Sequence, residues 1–154
     1  MSTYYYKPSE VQNNAQGAYN YVGEVNNLYD FGYGLSYSDF EIKNLTLLDD
    51  TISFSDTVYI SVEVFNNSEI DGYETIQVYS SDWYAKMSPD NKRLRDFDKV
   101  FVKANTSKKV DFKIPVKELN YVNESNEYTL EPGSFTIHVG SASNDLSSID
   151  LFVH

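Results

Sequence analysis

The sequence predicts an all-β fold, an antiparallel sandwich of two sheets with about seven strands. From Phe40 onward, short runs that alternate apolar and polar residues are separated by clusters of Asn, Asp, Ser and Gly. No stretch has the periodicity of a helix, and aromatic residues make up 16% of the chain, a composition that favours strands.

The first predicted strand requires a bulge. Its apolar residues are Phe40, Ile42, Leu45 and Leu47, so their spacing changes from even to odd after Ile42. After a turn at Asp49-Asp50 comes the clearest strand, in which β-branched residues occupy every second position: Val58, Ile60, Val62 and Val64. Tyr59, Ser61 and Glu63 are predicted to occupy its opposite face.

The later runs complete an immunoglobulin-like sandwich over residues 37–154. Residues 66–72 are predicted to turn the chain. Residues 83–91 are predicted to form an exposed loop, which residues 92–95 leave as a basic segment, and strands are predicted to resume at Phe97. A turn at Glu131-Pro132-Gly133 precedes another strand. The remaining inward-facing positions are Ile76, Val78, Val110, Phe112, Ile114, Phe135, Ile137 and Val139, and a last alternating run has Ile149, Leu151 and Val153.

Composition excludes several classes of function. The net charge of −11 disfavours nucleic acid and anionic membrane partners. The chain has no Cys and two His, His138 and His154, which leaves little material for a zinc site or a nucleophilic triad. Acidic residues in turns are interpreted as solvated surface, so no metal and no cofactor are predicted. Neither a signal peptide nor a membrane span is predicted.

The segment around Phe31 resembles a known family. Residues 27–40 read N-L-Y-D-F-G-Y-G-L-S-Y-S-D-F. They are similar to the L-Y-P-F-G-Y-G-L-S-Y-T-x-F stretch that introduces the C-terminal fibronectin type III-like domain of family-three glycoside hydrolases, the β-glucosidases and β-xylosidases. Asp71-Gly72 with Gln77-Val78-Tyr79, residues 94–102 and residues 131–140 resemble later motifs of that domain in the same order. Asp30 departs from the pattern, which usually has Pro there.

The resemblance implies a non-catalytic accessory domain. The family's catalytic nucleophile lies in an upstream barrel, so no catalytic residue is assigned here, and the upstream catalytic domains of the same polypeptide are the expected partner. Residues 1–36 are expected to be a linker arm. Its 28–37 stretch is expected to pack on the sandwich, with Phe31 and Tyr37 as the largest buried contributions. Phe31, Gly32, Tyr33, Gly34 and Tyr37 are the candidate docking residues.

Three alternatives stay open. An independent carbohydrate-binding module would use Trp83 and Tyr84 in the predicted loop as sugar contacts, with a polysaccharide as its partner. A surface-adhesion sandwich rests on analogy of fold alone. The arm could also pair with an exposed strand edge of a second copy, giving a homodimer.

Overall fold

A computed structural model describes residues 29–83 and 91–154 of the chain. The ten strands of this part are β1 (Phe40–Leu47), β2 (Thr51–Ile52), β3 (Thr57–Asn66), β4 (Gly72–Asp82), β5 (Arg93–Val102), β6 (Thr106–Pro115), β7 (Tyr121–Val122), β8 (Tyr128–Thr129), β9 (Gly133–Ala142) and β10 (Asp145–Val153). A 3₁₀ helix, Val116–Leu119, follows β6. The predicted arm lies mostly outside the described residues, and in the described ranges no helix is long and apolar enough to cross a bilayer.

The strands form a two-sheet sandwich with a small hairpin. One sheet has the order β1-β3-β6, the other the order β2-β10-β9-β4-β5, and β7 pairs with β8. All pairs are antiparallel except the short β10–β2 pair. The predicted all-β sandwich is confirmed, but the strand count of about seven is wrong. The described chain has ten strands because β2, β7 and β8 are two-residue pairings, too short to show an alternating pattern.

The core lies between the two sheets and confirms the predicted register. All twelve predicted inward side chains are buried: Val58, Ile60, Val62, Val64, Ile76, Val78, Val110, Phe112, Ile114, Phe135, Ile137 and Val139. On the opposite face of β3, the Tyr59 side chain is 45% exposed. Period-two alternation thus places β-branched and aromatic residues between the sheets, where removal from water stabilises the fold.

The predicted bulge in β1 is confirmed. The pairing of β1 with β3 shifts between Lys43 and Thr46. Asn44 lies in this interval with φ at 55°, a left-handed conformation that Asn tolerates better than most residues. Its side-chain amide donates to Oε2 of Glu63 at 2.9 Å, which ties the bulge to the neighbouring strand.

The basic segment after the loop is strand rather than loop exit. β5 begins at Arg93, not at Phe97 as predicted, and Arg95 lies at a register shift in its pairing with β4. Nε of Arg95 donates to Oγ of the buried Ser80 at 2.7 Å, and its guanidinium also donates to the carbonyls of Glu118 and Asn120. The basic residues 92–95 were interpreted as a solvated loop exit because the sequence does not show that backbone carbonyls accept from Arg95.

Phe135→Ala should destabilise the domain by about 3–5 kcal/mol, because it leaves a cavity in a core position that is 1% exposed. Phe97→Ala is the matched control, since that side chain is 64% exposed, and it should change the free energy of unfolding by less than about 0.5 kcal/mol. Denaturant unfolding of both variants measures the difference. Equal losses would show that the assigned inward face is wrong.

Candidate functional site

The described end of the arm makes a tight turn, residues 30–33, here called the corner. The amide of Tyr33 donates to the carbonyl of Asp30 at 3.1 Å, and Gly32 has φ at +83°. A positive φ at the third residue is the geometry of a type II turn, which glycine adopts without the strain of a Cβ. Gly32, one of the candidate docking residues named from the sequence, therefore occupies a position that favours glycine.

The corner contacts the outer face of the five-stranded sheet, the face turned away from the core. A Cβ built on Gly32 would lie 2.2 Å from Nε2 of Gln77, so the backbone of the corner directly covers this amide. Nε2 of Gln77 donates to the carbonyl of Ser141 at 2.6 Å, and the hydroxyl of Tyr79 donates to Oε1 of Gln77. The amide of Ser143 donates to the carbonyl of Phe31 at 2.9 Å. The corner is thus hydrogen-bonded to the turn between β9 and β10.

Lys92, the residue directly before β5, extends this contact. Its ammonium donates to the carbonyl of Ser143 and lies 6.0 Å from the ring centroid of Tyr79. Burial lowers the pKa of Lys92, and the charge of Asp30 in the corner acts in the opposite direction. A basic residue next to β5 and an acidic residue of the corner therefore interact at the same place.

The side chains of the corner and the following segment are largely exposed. The large apolar ones are Tyr29 at 65%, Phe31 at 49%, Tyr33 at 51%, Leu35 at 91% and Tyr37 at 97% exposed. The expectation that Phe31 and Tyr37 contribute the largest buried side chains is wrong: Phe31 is half exposed, and almost nothing of Tyr37 is buried. Its neighbours make the contacts instead: Oγ of Ser38 donates to the carbonyl of Ile70 at 3.0 Å, and the carbonyl of Asp39 accepts from Asn67 at 2.8 Å.

An open cleft of about 800 Å³ lies beside the corner. Tyr33, Phe40, Glu74, Gly140 and Asp145 are among its lining residues. Burial raises the pKa of Glu74, with a smaller contribution in the same direction from Asp145. In the described ranges no three His, Asp or Glu side chains group together as metal ligands would.

Trp83 directly follows β4, on the same outer face as Gln77. Its indole Nε1 donates to Oγ1 of Thr136 at 2.7 Å, yet the side chain is 64% exposed. Tyr84, the other predicted sugar contact, lies outside the described residues. Nearby on β9, His138 lies within hydrogen-bond distance of Ser81 and Ser148, and burial lowers its pKa.

Sequence reasoning missed the residues that receive the corner and Trp83. Gln77 and Tyr79 are two positions apart on a strand whose Ile76 and Val78 face the core, so both occupy the outer face. Their near-complete burial there is the unexpected observation. The Gln-Val-Tyr motif marked the pair, but the pattern could not show which segment covers it.

Comparisons with known proteins show what this chain is similar to. Residues 74–143 match the model of the fibronectin type III-like domain. The chain is 38% identical over 128 residues to a β-xylosidase of Formosa agariphila, covering 82% of this chain and 18% of that protein. The β-glucosidase structure from Listeria innocua aligns with a TM-score of 0.85 at 30% identity, covering 99% of this chain and 22% of that one. The structure of a GH3 β-glucosidase from Bifidobacterium adolescentis aligns with a TM-score of 0.73 at 31% identity, covering 81% of this chain and 18% of that one. The chain therefore spans less than a quarter of the length of each of these three proteins.

Gly32→Ala should destabilise the chain by about 1–2 kcal/mol, because a Cβ at this positive φ is strained and also collides with Gln77. Gly34→Ala is the matched control, since its Cβ would have nothing within 4 Å, and it should be neutral within about 0.5 kcal/mol. Denaturant unfolding compares the two. An unchanged free energy for Gly32→Ala would contradict the contact between the corner and the sheet.

Proposed function

Because this chain belongs to the fibronectin type III-like domains of family-three glycoside hydrolases, we propose that it is a non-catalytic accessory domain. The parent polypeptide is a β-glucosidase or β-xylosidase that acts in carbohydrate catabolism. The domain docks on the catalytic domains of that polypeptide and stabilises them. The contact surface is the corner with the segment to Tyr37.

One observation carries the docking proposal: this segment is bonded to the sandwich through its backbone, while its large apolar side chains face solvent. The Phe31 carbonyl and the Gly32 Cα are held against the sheet. The rings of Tyr29 and Tyr33 stack on each other, with centroids 5.0 Å apart. Contiguous exposed apolar side chains mark interaction surfaces. Burying one such side chain stabilises an interface by roughly 1.5–3 kcal/mol.

The chemistry of the family explains why no residue of this chain is proposed as catalytic. Retaining glycosidases need two carboxyl groups, a nucleophile and an acid, about 5–5.5 Å apart. By resemblance to the family, the nucleophile is expected in an upstream barrel domain, so no catalytic residue of this chain is proposed. Burial raises the pKa of Glu74, which lines the open cleft, but this carboxyl group alone does not make a retaining site, because a second carboxyl group would have to act as the nucleophile.

Alanine substitution in the parent hydrolase tests the docking proposal. Tyr33→Ala combined with Tyr37→Ala should lower the melting temperature of the parent by several degrees, because the interface loses two aromatic contacts. The same pair of substitutions should cost the isolated chain no more than about 1.5 kcal/mol, the contribution of the Tyr29–Tyr33 stack, since Tyr37 is 97% exposed. Tyr128→Ala is the control, since that ring is 74% exposed on β8. Unchanged melting of the parent in the double variant would contradict docking through this surface.

The isolated chain should hydrolyse neither aryl β-glucosides nor aryl β-xylosides. Release of nitrophenol from each substrate, measured against a buffer blank, checks this expectation. Hydrolysis that persists through a second purification and co-elutes with the chain would overturn the accessory assignment.

A further inference from the structure

We propose that the outer face of the five-stranded sheet, at the end where β4 finishes, binds a neutral oligosaccharide, with Trp83 and Phe152 as the stacking side chains. The proposal does not depend on the docking function, because different residues carry it. Four observations support it: the strand register, the anchoring of Trp83, the polar groups around it and the charge of the chain.

The register places two exposed aromatic side chains in one row across the sheet. The Trp83 amide donates to the carbonyl of Ser134 on β9 at 3.3 Å, and Phe152 on β10 is the paired residue of Ser134. Trp83 is 64% and Phe152 46% exposed. Their backbones are two strand spacings apart, about 10 Å. This span exceeds one pyranose ring, so a ligand must have at least two sugar units to contact both side chains.

Trp83 is held in position before any ligand arrives. Its Nε1 donates to Oγ1 of Thr136, and the Thr136 hydroxyl donates to Oδ1 of Asp150 at 2.7 Å. Thr136 is 4% exposed, so this relay is built into the sheet. An aromatic ring whose polar edge is already bonded loses less conformational freedom on binding, and the exposed remainder of the ring is apolar.

Polar side chains lie in the adjoining rows of the same face. Pairing aligns Ser81, Thr136 and Asp150 in one row, and His138 with Ser148 in the next. Hydroxyl and carboxylate groups beside aromatic rings suit a ligand that has apolar C–H faces and hydroxyl edges, which is the chemistry of a pyranose. The net charge of −11 disfavours anionic ligands and therefore favours a neutral sugar chain.

This platform, defined as Trp83, Ser134 and Phe152, is separate from the corner. Gln77, beneath the corner, is six residues from Trp83 along one outer face, a distance of roughly 20 Å. The docking segment and the platform therefore lie at opposite ends of that face. Loss of one function leaves the other measurable.

Intrinsic fluorescence tests the proposal directly because Trp83 is the single Trp of the chain. Titration of the purified chain with cellohexaose and with xylohexaose should give a saturable change in emission with at least one of them. Glucose and xylose, which reach only one aromatic side chain, should bind at least about fivefold more weakly. The two hexasaccharide arms distinguish a glucan from a xylan as the source of the sugar chain.

Variants assign the binding to the platform. Phe152→Ala should weaken the hexasaccharide affinity by at least about fivefold, and Trp83→Ala should remove retardation in a native gel containing the corresponding polysaccharide. Thr136→Val keeps the indole but removes its anchor, so it should weaken affinity less than Trp83→Ala does. Tyr128→Ala, an exposed aromatic on β8, is the control and should leave the affinity unchanged.

Circular dichroism shows whether each variant is folded. If Trp83→Ala does not fold, Trp83→Phe replaces it. A saturable response that Phe152→Ala weakens and Tyr128→Ala does not would support the platform. No saturable response to either hexasaccharide would overturn it, as would binding that survives substitution of both platform aromatics. The two proposals can fail separately. If Tyr33→Ala with Tyr37→Ala lowers the melting temperature of the parent and no hexasaccharide binds the isolated chain, the sugar platform is overturned and the docking proposal stands.

Discussion

Period-two burial between the sheets is the constraint on which the rest of the structure depends. With Ile76 and Val78 facing the core, the alternate residues of β4 must occupy the outer face, and Gln77, Tyr79 and Trp83 are therefore placed there. A register shift by one residue would exchange the two sets and remove both the seat of the corner and the anchor of Trp83. The core thus determines the position of each candidate functional residue on this sheet.

The outer face would ordinarily be solvated, yet Gln77 is 5% and Tyr79 0% exposed. A buried amide must have hydrogen-bond partners, because an unsatisfied polar group costs about 1–3 kcal/mol. The carbonyl of Ser141 and the hydroxyl of Tyr79 satisfy Gln77, and the glycine backbone of the corner excludes water above it. Only a residue without a Cβ allows this approach. The backbone of the corner therefore packs on the sandwich, while its large side chains face outward.

The fold and the core were predictable because alternation is a local signal: every inward residue named from the sequence is buried. The bulge at Asn44 was also readable, from the change in apolar spacing. The short strands β2, β7 and β8 were not, since two residues carry no period. Tyr37 was misplaced because aromatic character indicates burial somewhere and not on which partner. Gln77 and Thr136 were missed because their roles come from segments distant in sequence.

The central claim is that the corner is held by the sandwich itself. Amide hydrogen exchange of Tyr33 and Ser143 in the isolated chain tests it most directly, since these amides donate to Asp30 and Phe31. The account predicts that both exchange far more slowly than in an unstructured peptide, because opening the corner also exposes Gln77. Exchange of both amides at the rate of an unstructured peptide would contradict the account, since the corner would then not be held by the sandwich.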